Sequence, residues 1–187
     1  MRKIFTLTAI MLLSASVMVN AQEKKNIIKT SLTSIFLKTV NLDYEHVLNE
    51  SSSFQLGFYY TGAGLFSAHF NGFAITPEYR YYLSGNKTAP NGPYIAPYAR
   101  YQNFTAKEGS PGDPSYAKGT VSIVSAGLVV GVQRTFKDKI SLGAYIGPGY
   151  YFPNVSYEST DGSFDFGSFN SNGFVWGRAG IDIGIMF

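Results

Sequence analysis

The last fifteen residues, Gly173–Phe187, read GFVWGRAGIDIGIMF and alternate between two kinds of side chain. Ala179 and Ile181 would lie on an apolar face, and Arg178 and Asp182 would lie on the opposite face. A period of two residues is typical of a β-strand. A water-soluble core rarely accepts unpaired charges, whereas a strand between lipid and a polar interior needs both faces. The stretch therefore predicts the closing strand of a transmembrane β-barrel.

The composition favours such a barrel over a soluble domain. Charged residues make up 14% of the 187 residues and aromatic residues 16%, and there are 20 glycines. Soluble domains carry about 25% charged residues. The mean hydropathy is near zero, which argues against a helical membrane bundle and fits strands that face lipid and water in turn.

The N-terminus has the features of a secretory signal peptide. Arg2 and Lys3 precede an apolar stretch, and small residues end that stretch at Ala21. We predict a signal peptide over residues 1–21 and one outer-membrane barrel domain over residues 22–187. A transmembrane anchor is the alternative, but the stretch is short and interrupted by Thr and Ser. Cleavage leaves 13 basic against 12 acidic residues, so no nucleic-acid partner is expected.

The residues that usually carry chemistry are scarce. The chain has no cysteine and only two histidines, which excludes disulfides and cysteine-ligated metals. No phosphate loop, zinc spacing or nucleophile motif is present, so we expect no cofactor, no metal site and no enzymatic activity. His46 is predicted at a lipid interface. His69 follows Ser67 closely and could serve lipid hydrolysis, although no third catalytic residue is recognisable.

Alternating segments recur along the chain and predict about eight strands, each near the roughly 9–11 residues that a tilted membrane strand needs. Their connections are alternately short and long, like the periplasmic turns and external loops of membrane barrels. The predicted fold is therefore all-β, a single antiparallel up-and-down transmembrane β-barrel. The less regular predictions are a first strand over 27–37, a turn at Lys38–Thr39, a bulge at Pro97, and loops over 62–71, 105–119 and 153–172.

Aromatic residues cluster near the ends of the predicted strands. Two girdles at the lipid interfaces would produce this pattern, although any aromatic-rich strand places some rings near its ends. The predicted outer girdle is Tyr60, Phe73, Phe104, Tyr150, Tyr151, Phe152 and Phe174, and the inner girdle is Phe54, Tyr81, Tyr94, Phe136 and Phe187.

The polar faces of the predicted strands carry charges toward the barrel interior. An interior of about eight strands is just filled by side chains, and buried charges are costly unless they are paired. We expect Glu78, Arg80 and Arg178 to join Asp43, Glu45 or Asp182 in an ion-pair network that plugs the lumen; a proton or small-ion path is the alternative. The candidate interior network is Asp43, Glu45, Glu78, Arg80, Arg100, Arg178 and Asp182.

The predicted loop over residues 153–172 differs in charge from the rest of the chain. It contains Glu158, Asp161 and Asp165 but no Lys or Arg, and aromatic residues are interleaved with these acids. Such a composition suits a solvated, disordered loop. It is also the best candidate in the sequence for contact with an external ligand.

Four segments carry a resemblance to a known family: VNLDYEHVL (Val40–Leu48), ITPEYRYYL (Ile75–Leu83), PYIAPYARYQNF (Pro93–Phe104) and IDIGIMF (Ile181–Phe187). The chain resembles small Gram-negative outer-membrane barrels catalogued as a domain of unknown function, and more loosely the OmpA/OmpX-like barrels. The resemblance implies an integral outer-membrane barrel without assigned catalytic residues. It also implies that Phe187 is the terminal aromatic residue recognised by barrel-insertion machinery, with outer-membrane lipid and lipopolysaccharide as further partners.

The functional class stays open at this level. The first hypothesis is a barrel with a structural, adhesion or envelope-integrity role and a filled lumen. The alternatives are a narrow channel for small solutes, a lipid-modifying enzyme, and a soluble lipocalin-like barrel, which would need an apolar lumen.

Overall fold

The computed structural model describes residues 25–36, 39–65, 68–83, 85, 88–108, 117–159 and 173–187. The predicted signal peptide, residues 1–21, lies outside these ranges. No helix within them has the length and hydropathy that a membrane-spanning helix requires. The elements are β1 (Asn26–Ser31), α1 (Leu32–Phe36), β2 (Thr39–Asn49), β3 (Ser52–Leu65), β4 (Ala68–Tyr82), β5 (Gly92–Glu108), β6 (Ala117–Phe136), β7 (Ile140–Ser159) and β8 (Gly173–Met186).

The eight strands form one closed antiparallel barrel. Each strand pairs with the next along the chain, and β8 returns to pair with β1. The closing ladder runs from the Ile27–Met186 pair to the Ser31–Asp182 pair. The prediction of an all-β, up-and-down barrel of eight antiparallel strands is confirmed, and the terminal alternating segment is the strand that closes it.

The alternation seen in the sequence is an alternation of burial in the structure. On β2, Leu42 and Tyr44 are 40% and 44% exposed, whereas Asp43 and Glu45 are 5% and 0% exposed. A barrel of about eight strands is narrow enough for its inward side chains to bury one another. The outward side chains are apolar and have no protein packed against them. This polarity, apolar outside and charged inside, suits a lipid environment and is the reverse of a lipocalin-like barrel.

The strands continue beyond the band of outward apolar side chains. The prediction of loops over residues 62–71, 105–119 and 153–172 is therefore wrong for much of their length. The Asn103 side-chain amide donates to Ser122 Oγ at 2.7 Å, and the Thr105 and Thr120 hydroxyls lie 3.1 Å apart. Polar cross-strand pairs thus extend the ladder where turn-like residues had indicated loops. Residues 109–116 and 160–172 lie outside the described ranges. Strands occupy 62–65, 68–71, 105–108, 117–119 and 153–159 of the predicted loops.

The first strand is shorter than predicted. β1 ends at Ser31 and α1 follows, so the prediction of a strand over 27–37 is wrong beyond that residue. At this point side chains replace the backbone ladder: Asn41 Oδ1 accepts from Ser31 N at 3.0 Å, and Thr30 Oγ1 donates to Asn41 O at 2.8 Å. Of the predicted turn, Thr39 opens β2 and Lys38 lies outside the described residues. β1 therefore spans only part of the height of the barrel wall.

The predicted bulge at Pro97 is also wrong. β5 keeps one register with β6 through Pro97, and the β4–β5 ladder is interrupted beside it without a shift. The bulge lies in β8 instead, where the successive pairs Gly147–Arg178 and Gly149–Val175 leave one extra residue on β8. The alternation predicted for the terminal strand therefore holds from Arg178 to the C-terminus. Between Val175 and Arg178 the register with β7 shifts by one residue.

Eight of the twelve predicted girdle residues point outward, three point inward, and Phe187, which follows β8, is half-buried. Tyr94, Phe104 and Tyr151 lie on the inward faces of β5 and β7. The Tyr94 ring packs on Tyr82 with centroids 5.4 Å apart, and Phe104 meets Tyr59 edge-on at 6.5 Å. The girdle prediction depends only on height along the barrel, whereas the period-two phase of each strand places these three residues on the inward face. The outward aromatic residues are Phe54, Tyr60, Phe73, Tyr81, Phe136, Tyr150, Phe152 and Phe174.

Candidate functional site

Glu45 stands at the centre of a polar cluster inside the barrel. Its Oε2 accepts hydrogen bonds from Lys29 Nζ at 2.6 Å and from Gln133 Nε2 at 2.9 Å. Its Oε1 accepts from the Tyr82 hydroxyl at 2.7 Å and from the Ser53 hydroxyl. Because the side chain has no solvent exposure, these protein donors replace the water that a carboxylate otherwise needs.

Arg80 joins this centre to a second carboxylate. Its Nη1 donates to Gln133 Oε1 at 2.7 Å and lies 3.5 Å from Glu45 Oε2, and its Nε donates to Glu78 Oε1 at 2.7 Å. The guanidinium carbon is 4.5 Å from the centroid of the Tyr94 ring. A planar guanidinium can serve both carboxylates and stack on an aromatic ring at once, so Arg80 joins β4 to β2, β5 and β6.

Arg178 completes the chain of ion pairs. Its Nη1 donates to Glu78 Oε2 at 2.6 Å, and its guanidinium carbon lies 4.6 Å and 5.1 Å from the centroids of the Tyr98 and Tyr145 rings. Cation–π contact adds to the ion pair where water is excluded. Together these residues form a continuous link across the lumen, from β1 through β2, β4 and β6 to β8. We call this set the charge belt: Lys29, Glu45, Glu78, Arg80, Gln133 and Arg178.

The structure brings together four of the seven interior residues expected from the sequence, namely Glu45, Glu78, Arg80 and Arg178. Asp43 and Asp182 are buried in the same lumen, but no ion pair joins them to a cation among the described residues. Asp43 Oδ1 accepts from Asn41 Nδ2 at 3.5 Å, and Asp182 Oδ1 has no hydrogen-bond partner. These two carboxylates flank the end of β1.

Arg100, the seventh residue, lies above the charge belt. It is half-buried, donates from Nε to Gln102 Oε1 at 2.9 Å, and lies 5.7 Å from the centroid of the Tyr59 ring. Within the described part of the chain it has no carboxylate partner. Arg100 therefore belongs to the upper lumen and not to the charge belt.

Two members of the charge belt are absent from the sequence prediction. Ile28 and Thr30 are predicted on one face of a weakly alternating segment. Lys29 lies between them, so the same pattern places it on the opposite, inward face. Gln133 is predicted on an inward face, but an uncharged amide does not by itself indicate an ion-pair network. In the structure it binds Lys29, Arg80 and Glu45 simultaneously.

Glycines on neighbouring strands make room for the large inward side chains. A Cβ on Gly131 would lie 2.5 Å from Tyr94 Cζ and 2.8 Å from the Ala144 carbonyl oxygen. Three lumen tyrosines near the belt lie over such glycines, so the lumen is packed densely there. The pairs are Tyr94 over Gly131, Tyr98 over Gly149, and Tyr145 over Gly180.

We expect Gly131→Ala to lower the free energy of unfolding by about 1–3 kcal/mol, because overpacking forces neighbours off their preferred positions. The Tyr94 ring would have to move, and with it the cation stacked on it. The measurement is the urea midpoint of the protein refolded in one lipid. Gly85→Ala is the matched control, since a Cβ there meets nothing within 4 Å. Equal shifts for the two variants would contradict the packing argument.

The described part of the β4–β5 connection lies at the end of the barrel where β1 begins and β8 ends. Ala89 N donates to Glu50 O at 2.7 Å, and Asn91 Oδ1 accepts from Thr135 N at 2.7 Å. Pro90 is almost fully buried. A cavity of about 750 Å³ lies among these turns. The described residues of this connection are thus bound to the β2–β3 turn and to β6.

The other candidate residues form no catalytic arrangement in the described part of the chain. His46 is half-buried on the outward face, with Nδ1 2.8 Å from Asn26 Oδ1. The His69 side chain and Ser67 lie outside the described residues. No group of three or more His, Asp or Glu is placed to hold a metal ion in the ranges described.

Comparisons with known proteins agree with this architecture. A family described as "Protein of unknown function (DUF3575)" matches residues 7–187. No curated protein matches the chain. Among solved structures, the crystal structure of a major outer membrane protein from Thermus thermophilus is similar, with a TM-score of 0.53 and 14% identity over 89% of this chain and 100% of that chain. At this identity the similarity concerns the fold alone.

Proposed function

The chain belongs to the DUF3575 family, and from that premise we propose that it is an integral outer-membrane protein with a structural, adhesion or envelope-integrity role. In this proposal the barrel anchors the protein in the membrane and does not conduct solutes. The membrane-barrel fold and its likeness to an outer membrane protein support the location.

The charge belt is the observation that carries the non-conducting part of the proposal. Lys29, Glu45, Arg80, Glu78 and Arg178 are held in one line of ion pairs across the lumen. Removing one partner from a buried ion pair costs about 3–5 kcal/mol. A solute or ion would have to separate several such pairs to cross the lumen.

We expect the parent protein to give no discrete conductance steps in a planar lipid bilayer. The comparison is the triple variant Glu45→Ala/Arg80→Ala/Arg178→Ala, which empties the centre of the lumen and is expected to conduct. A gel shift on boiling checks that each protein is a folded barrel before insertion. Ohmic steps of similar size for parent and variant would show that the belt does not block the lumen, and would favour the narrow-channel alternative.

We propose that the barrel is not an enzyme. The inward side chains near the belt are packed against one another, so they leave no cleft for a substrate. The lipid-modifying alternative rests on His69 alone, for which no partner is described.

The proposal also includes export of the chain and insertion of the barrel into the outer membrane. Residues 1–21 act as the signal peptide, and Phe187 as the signal for barrel-insertion machinery, with lipopolysaccharide and outer-membrane lipid around the barrel and an external ligand at residues 153–172. Phe187 N donates to Asn26 O at 2.8 Å and Asn26 N donates to Phe187 O at 3.1 Å, so the terminal residue is part of barrel closure.

We expect cleavage between Ala21 and Gln22, because small residues precede that bond. The intact mass of the protein purified from membranes measures it directly. A mass equal to the full 187 residues would contradict cleavage.

A further inference from the structure

One arginine lies on the outward face of the barrel, among apolar side chains. Arg134 is exposed on β6, between Val132 and Phe136, which both face outward as well. On the described strands, every other Lys, Arg, Asp and Glu side chain between the two girdles faces the lumen. A cation on a lipid-facing surface is costly, and the cost depends on its depth in the membrane. Arg134 therefore needs either an anionic partner or contact with water.

The Arg134 side chain extends toward the inner girdle. Its guanidinium carbon lies 5.8 Å from the centroid of the Phe136 ring, and Phe136 is 45% exposed. Aromatic girdles mark the height at which acyl chains give way to lipid headgroups, and long cationic side chains reach from apolar surface to that height. The cation therefore lies at the level of the lipid phosphates, while the apolar side chains beside it lie against acyl chains.

The described protein surface around Arg134 supplies no anion. No carboxylate among the described residues pairs with the guanidinium, and the outward neighbours are apolar. Its cross-strand partner on β7 is Leu142, which is 40% exposed, and Val132 pairs with Pro93 of β5. A second copy of the barrel would not supply a carboxylate at this height either, because the described carboxylates between the girdles face the lumen. A lipid headgroup is the source of anionic oxygens that the membrane offers there.

The β6–β7 turn adds positive charge next to this arginine. Lys137 and Lys139 are exposed on either side of Asp138, so residues 134–139 carry three cations and one acid. The up-and-down topology places this turn at the end of the barrel where β1 begins and β8 ends. The longest connection, residues 160–172, belongs to the opposite end, as external loops do. In the proposed outer-membrane location, the turn therefore borders the inner, phospholipid leaflet.

We propose that Arg134 binds the phosphate of an anionic phospholipid in the inner leaflet of the outer membrane. The guanidinium donates to two phosphate oxygens, whose spacing matches its planar fork. The acyl chains lie along the outward apolar side chains of β6 and β7, among them Val132 and Leu142. The two lysines of the turn favour a lipid with net negative charge over a zwitterionic one. This inference rests on the membrane location proposed above and adds a defined lipid site to it.

Native mass spectrometry of the full mature protein tests the proposal. In protein extracted from outer membranes, we expect mass additions equal to a phospholipid. The protein is then stripped of lipid and titrated with phosphatidylglycerol or with phosphatidylcholine of the same acyl chains. We expect one saturable site that binds phosphatidylglycerol more tightly than phosphatidylcholine. Arg134→Gln is expected to weaken phosphatidylglycerol binding about tenfold, in line with the loss of a charge-assisted hydrogen bond.

Lys137→Gln is the matched control, because it removes the same charge from a residue that lines the cavity among the turns. It is expected to weaken binding less than about twofold, since salt screens exposed charges that make no direct contact. Identical curves for the parent and Arg134→Gln, when both shift on boiling, would overturn the proposal. So would equal losses in the two variants, equal affinities for the two lipids, or a mass addition equal to a protein chain. A parent that is soluble without detergent and does not shift would contradict the membrane location itself, and this inference with it.

Discussion

Glu45→Ala is expected to lower the free energy of unfolding by about 3–5 kcal/mol, the cost of leaving buried charges without their partner. Lys29 and Arg80 would both lose a carboxylate, and Gln133, Tyr82 and Ser53 would lose an acceptor. The measurement is the urea midpoint of protein refolded in one lipid. Glu50→Ala is the control, because Glu50 is an exposed residue of the β2–β3 turn, and it is expected to change the midpoint little.

Glu45→Gln separates charge from packing. The amide keeps the size of the side chain and one acceptor oxygen, but it leaves Lys29 without a negative partner and Arg80 with Glu78 alone. We expect most of the Glu45→Ala loss to remain in this variant. A Glu45→Gln protein as stable as the parent would contradict the ion-pair account, and would mean that the lumen is held by hydrogen bonds and volume.

Ile183→Arg is expected to lower the free energy of unfolding by about 2–4 kcal/mol, the cost of a cation on the lipid face near mid-membrane. Ile183 is 37% exposed on β8, between Thr30 of β1 and Leu142 of β7. Urea midpoints in the same lipid give the difference from the parent.

The control for Ile183→Arg places the same residue on the same outward surface but higher. Asn154 is exposed on β7 and pairs with Ser122, in the polar rows above the aromatic girdle. Asn154→Arg is expected to cost about 0–1 kcal/mol, as near an interface. Equal midpoints for Ile183→Arg and the parent would mean that this face does not lie in hydrocarbon.

The direction of most side chains could be predicted from the sequence, because a side chain on a strand can point to only one of two faces. Asp182 between Ile181 and Ile183 must face away from them, and the same reasoning places Glu45 and Glu78 inward. The alternation also indicated the number of strands and the closing role of β8. Local order of this kind depends on residues close together in the chain.

The contacts inside the lumen could not be predicted in the same way. Gln133 binds Lys29 across 104 positions of sequence, and that contact depends on the register of every strand between them. The end of β1 depends on the Asn41 side chain, which replaces a ladder bond from the neighbouring strand. In both cases the deciding partner lies on another strand. Tyr94 is different, because the phase of its own strand already predicts that it points inward.

The most direct test of the membrane-barrel account is a gel on cell membranes separated by density, with samples loaded unheated and boiled. We predict that the protein sediments with the outer-membrane fraction and shifts its apparent mass on boiling, as a folded barrel does when its strands separate. A protein recovered in the soluble fraction without detergent, with no shift, would contradict the account and would mean that the charged face is not enclosed.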